Sequence, residues 1–315
     1  MYEMTRPRLL LNLVGAATLA ALLALAAFSP TASAEKTSTP AETTDTTASD
    51  ENAPVTSENH SWNGYHWART ANPFTLKLGD KVSTAWDSVL GTTSSDWSKS
   101  SALDTNIVEG SSNKKCRPTS GQVEVCSAAY GRKGWLGIAS VWVDSDSHIT
   151  QGTVKLNDTY FKTSKYNKPE WRNLVSCQEV GHTLGLDHQD ENFRNTNLGT
   201  CMDYTRKPLG PPDDEHPNQH DYNELETIYS HLDPSSTIEA NAASKHPAAM
   251  NRVDTTNPSE RGKLIHKKDR YEVYERDFGK GNRVRTWVIR ADEDTASEDT
   301  SPEGASSGSA KQKGQ

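Results

Sequence analysis

The sequence predicts a mixed α/β fold of the α+β kind. Short β-rich runs lie between segments of helical spacing, large apolar residues are concentrated in the middle of the 315 residues, and polar, low-complexity stretches flank that middle. One folded unit, covering roughly 61–233, is the expected core, followed by a smaller β-rich extension.

The N-terminal 34 residues have the pattern of an export signal. Arg6 and Arg8 precede an apolar run from Leu9 to Phe28, and small residues follow, ending at Ala32-Ser33-Ala34. Cleavage after Ala34 would leave a secreted, extracellular protein with no stable membrane association. The run is also about the ~20 residues that cross a bilayer, so a retained anchor is the rival reading. In either case the folded part lies outside the cytoplasm. Residues 35–60 contain mostly Thr, Ser, Ala, Pro, Glu and Asp and read as a disordered linker.

Phe74, Leu76 and Leu78 alternate as a first strand over 73–78. Asp80 is placed to cap a first helix whose apolar positions are Val82, Ala85, Trp86, Val89 and Leu90, with Gly91 as its stop. Strand-like runs follow at Leu103–Val108, Val123–Cys126, Leu136–Val143 and Ile149–Leu156. A second helix starts at Pro169, a residue favoured in the first turn, and carries Trp171, Leu174, Val175, Gln178 and His182 on one face as far as Gly185. A third, between Asp221 and Leu232, closes the unit. Residues 234–291 read as a linker and one hairpin, Tyr271–Glu275 with Val284–Ile289, and 292–315 as a disordered tail.

A net charge of −8 provides no basic footprint, which excludes nucleic acid as a partner. Export makes disulfides possible for the four cysteines. Cys116 and Cys126 are close enough in sequence to staple a hairpin, leaving Cys177 and Cys201 to each other, one of three connectivities; four free thiols is the alternative.

The chemistry is concentrated in Cys177-Gln178-Glu179-Val180-Gly181-His182-Thr183-Leu184-Gly185-Leu186-Asp187-His188. Side chains four apart on a helix point the same way, so Gln178 and His182 can reach one metal while Glu179 leans over its edge. Gly185 permits a sharp turn that brings His188 back as a third ligand, with a fourth position open to water. Other candidates are weaker. Asp187, Asp190 and Glu191 offer carboxylate oxygens to Ca2+ or form a solvated loop. His216 and His220 read as solvated or capping residues, and Asn157-Asp158-Thr159 fits a glycosylation sequon.

The segment resembles the metzincin signature His-Glu-x-x-His-x-x-Gly-x-x-His, matching at Glu179, His182, Gly185 and His188 and departing at Gln178. Cys201-Met202-Asp203-Tyr204 is similar to the methionine turn of that family. The resemblance implies a metzincin-like mixed sheet packed on helices, Zn2+ held by Gln178, His182 and His188, and Glu179 as general base. It further implies Met202 beneath the metal, Tyr204 on the metal or the oxyanion, and a Cys177–Cys201 bridge locking the turn to the helix. Leu136–Ala139 would be either the cleft-edge strand that takes an extended substrate or an ordinary internal strand. The expected activity is that of a secreted, monomeric zinc endopeptidase acting on polypeptide. A non-catalytic binding protein of the same fold and a membrane-tethered envelope module are the alternatives.

Overall fold

A computed structural model describes residues 60–113, 115–239 and 246–292. The export signal, nearly all of the linker and the tail lie outside them.

The described residues form a mixed sheet of nine strands with four α-helices. The strands are β1 (His66–Trp67), β2 (Phe74–Lys81), β3 (Leu103–Glu109), β4 (Gln122–Ala128), β5 (Trp135–Val143), β6 (His148–Asn157), β7 (Lys263–Lys268), β8 (Tyr271–Asp277) and β9 (Arg283–Arg290). The order is β3-β2-β4-β6-β5-β9-β8-β7, with β1 pairing with β6 off that path. β3, β2, β4 and β6 run parallel, whereas β5 is antiparallel to both β6 and β9. β5 is buried along its whole length, which explains its nearly continuous apolar run WLGIASVWV. Leu136, Ala139, Val141 and Val143 join the main core, and Trp142 packs with Met250, Val253 and Val284.

The helices are α1 (Asp87–Trp97), the short α2 (Asp158–Phe161), α3 (Pro169–Thr183) and α4 (Gln219–Ile228). α1 starts later than expected and runs through Gly91. Asp80 stays in β2, paired with Glu109 and Val125, and its carboxylate accepts from the Val82 N–H. Beyond Gly91 the helix continues because its polar residues find buried partners. Thr93 bonds Ser176 at 2.7 Å and the Trp97 indole donates to Cys177 O at 3.1 Å. α4 ends before Leu232, which is 57% exposed, and begins in a capping box between Asn218 and Asp221.

Two open readings are decided by the packing. Leu136–Ala139 is an internal strand, because β9 occupies the edge of β5 that would have received an extended peptide. Asn157 is fully buried and its amide donates to Gly131 O and Trp135 O, so the sequon is not open to glycosylation. No helix among the described residues is long and apolar enough to cross a membrane.

Candidate active site

α3 enters the core through Trp171, Leu174 and Val175, which bury one face against β5 and β6, and so carries Gln178, Glu179 and His182 inside. The helix stops at Thr183. Gly185 has φ +103°, a left-handed conformation that L side chains rarely adopt, and a Cβ there would collide with the Tyr65 carbonyl. This turn brings His188 back, with its ring centroid 4.6 Å from that of His182.

Beneath them lies Met202. A Cβ on Gly181 would approach its Sδ to 2.6 Å, so the glycine lets the turn lie directly under the helix. Gln189 N–H donates to Met202 O at 2.7 Å, Tyr204 N–H donates to Asp190 O at 3.2 Å, and the Cys177–Cys201 disulfide joins the turn to α3. Cys116 and Cys126 form the second disulfide.

Gln178, Glu179, His182, Met202 and Tyr204 are buried in one knot with His188. His182 Nδ1 lies 3.0 Å from Leu186 O; a carbonyl only accepts, so Nδ1 carries the hydrogen and Nε2 keeps its lone pair. Burial pushes the His182 pKa down to about 3, assisted by His188, and burial pushes His188 well below the usual range. Both rings are therefore neutral, as ligands must be. Burial drives Glu179 well above the usual carboxyl range, partly countered by the Ala139 N–H. Gly137 leaves room for that carboxylate, since a Cβ there would meet Glu179 Oε1 at 2.5 Å. Burial likewise raises the Tyr204 hydroxyl.

Four buried atoms in this knot lack a hydrogen bond: Glu179 Oε2, the Tyr204 hydroxyl and both ring nitrogens of His188, although His188 Nδ1 is 3.4 Å from Asp187 Oδ1. Unbonded polar atoms from three separate stretches of chain, beside the lone pair of His182, form a donor set that a borderline cation would satisfy.

Gln178 differs from its neighbours. Its amide donates to Cys201 O (2.7 Å) and Asp203 O (3.2 Å), and its oxygen accepts from the Tyr271 hydroxyl (2.8 Å). Ligation through Oε1 would have to be shared with Tyr271.

Local motif reading did not anticipate Tyr271 and Trp287. Tyr271 stacks on Tyr204 at 3.8 Å and lies against His188 at 4.4 Å, while Trp287 stacks face to face on His182 at 5.0 Å. Both come from the C-terminal strands, and only the pairing of β9 with β5 places them here. His188 also borders a cavity of about 290 Å³ lined by His60, Asp187, Gln189, Asp190, Glu191 and Lys268. Asp190 bonds Asn192 N–H, and Glu191 pairs with His266 and Lys268. The groups of three or more candidate metal-ligating atoms among the described residues do not include this acidic loop. His216 bonds Asp96 at 2.6 Å and His220 stacks on His60.

No family model matches the chain, and no curated protein does. Two solved structures of myroilysin are similar to it. One has a TM-score of 0.29 and 11% identity over 52% of this chain and 86% of its own. The other has a TM-score of 0.30 and 12% identity over 59% of this chain and 89% of its own.

Proposed function

We propose that this chain is a secreted, metal-dependent endopeptidase of the metzincin kind. The cluster of buried, unbonded polar atoms around His182 and His188 carries the reading. His182 and His188 would hold the metal, zinc by the chemistry of the donors, with Tyr204 beside them; Gln178, if it ligates, is the weakest of the set. When bound, zinc supplies Lewis acidity toward a carbonyl oxygen. Glu179 takes a proton from the attacking water at Oε2 and returns it to the leaving amine, a role suited to a carboxyl whose affinity for protons is raised. The Tyr204 hydroxyl donates to the developing oxyanion. Polypeptide is the substrate class that the motif resemblance implies.

The test is hydrolysis of an unfolded polypeptide by the zinc-loaded full chain. Glu179→Ala should keep its zinc and lose about 10² to 10⁴ in rate. Near-parent turnover in that variant overturns the assignment.

A second reading, a binding protein without turnover, is favoured by two observations: β9 covers the edge of β5, and Trp287 lies flat on His182. Zinc held through His182 and His188 with no hydrolysis, in both the parent and Trp287→Ala, would establish it.

A further inference from the structure

Away from His182 and His188, three imidazoles converge on one carboxylate oxygen. His66 lies on β1 and, through the parallel pairing of β1 with β6, stands opposite His148. His231 and Asp233 follow the end of α4. Arg69 ties that stretch to β1. Its N–H and Nη1 donate to Asp233 Oδ2 at 3.2 and 2.8 Å, its carbonyl accepts from Asp233 N–H at 2.9 Å, and its Nη2 donates to His231 O. With Oδ2 engaged, Oδ1 faces His66 Nε2 at 3.4 Å, His148 Nε2 at 3.3 Å and His231 Nε2 at 3.7 Å. The Nε2 atoms of His66 and His231 are 3.2 Å apart.

These spacings suit ligands around an ion better than hydrogen bonds. With metal–donor bonds near 2.0–2.1 Å, neighbouring donors of a tetrahedral zinc stand about 3.3 Å apart. His66 provides a second argument. Its Nδ1 is 2.7 Å from Gly64 O, so Nδ1 carries the hydrogen and Nε2 of the neutral ring presents a lone pair. A lone pair facing a carboxylate oxygen is repulsive unless a proton or a metal cation lies between them. The two side chains are only 8% and 6% exposed, so water screens that repulsion little. An imidazole oriented by a carbonyl on its other nitrogen is also the usual arrangement behind a metal ligand.

We infer that His66, His148 and Asp233, whose ligand atoms lie within 4.8 Å of one another, bind a divalent cation of the zinc type, with the exposed His231 imidazole beside them, at a site sharing no residue with the His182 and His188 centre. It fastens β1, the start of β6 and the exit from α4 to one another.

The test is Zn2+ titration of the chelator-stripped full chain, with stoichiometry read against a chromogenic chelator and stability read as the thermal midpoint. The His188→Ala chain, with the other centre disabled, should still bind one equivalent and gain thermal stability from it. Adding His148→Ala should abolish that equivalent. Adding His231→Ala, at a side chain 53% exposed and so harmless to folding, should weaken it by about tenfold or more, since disturbing even outer-shell partners costs that much. In the parent the same changes are read as a loss of affinity for one equivalent, so the answer does not depend on His188→Ala folding. No uptake by the folded His188→Ala chain, or uptake unchanged by His148→Ala and His231→Ala, overturns the site and leaves a protonated histidine cluster around Asp233.

Discussion

Lys155 on β6 is a cation almost without water. It is 3% exposed, with Nζ 3.4 Å from Asp254 Oδ1 and 3.5 Å from Thr255 Oγ1. Burial pushes its pKa down to about 8 from 10.5, and Asp254 recovers part of the loss. Below pH 8 the folded chain carries the full cost of the buried charge. Between pH 8 and 10.5 the unfolded chain holds a proton that the folded one has released, so stability rises with pH across that window. Replacing the ammonium by a thioether, Lys155→Met, should remove this rise. Denaturant unfolding at several pH values should show the parent gaining on the variant by on the order of 3 kcal/mol. A parallel pair of curves would mean that Lys155 keeps its ordinary pKa. At this scale the sequence was readable where a residue's task is local. His182, Gly185 and His188 follow from helix periodicity and one left-handed turn. Tyr271 and Trp287 were not readable, because nothing near them in sequence relates to the site they cover.

At the scale of elements, the Cys177–Cys201 bridge joins α3 to the turn that carries Met202 and closes a span of 24 residues. Restricting the unfolded chain over such a loop contributes about 3 kcal/mol. The Cys177→Ser, Cys201→Ser double variant should lose about that much in equilibrium unfolding, with any metal affinity falling as the turn loosens; unchanged stability would show that packing alone holds it. α3 was legible nearly to the residue, since Pro169 starts it and the face from Trp171 to His182 is buried. α1 was legible in existence but displaced, because Asp80 satisfies the backbone at the end of a strand instead of a helix start. β7 was invisible: KLIHKK is charged and largely exposed, and it forms only because β8 offers an edge. The role of β5 was ambiguous because full burial erases the alternation that would reveal which side is covered.

At the scale of the molecule, the sheet joins stretches distant in sequence. Ser140 and Thr286, paired on β5 and β9 and bonded through their hydroxyls, are 146 residues apart. Trp287, Val288 and Ile289 of β9 are all buried, so the C-terminal strands belong to the cores they complete. A chain ended at residue 261 should therefore lack a cooperative calorimetric transition, and a sharp transition near the parent midpoint would show that the rest folds alone.

The position of β9 also sets a timetable. Until the last stretch of the described chain has emerged, β5 has an unsatisfied row of amides and carbonyls along one side, flanked by the indoles of Trp135 and Trp142. Such an edge will pair with any extended strand that reaches it, including the same edge of a second nascent chain. An interrupted synthesis would thus leave more than a shortened product. It would leave one that adheres to its siblings, and the yield of soluble protein should depend on how promptly the final strands arrive.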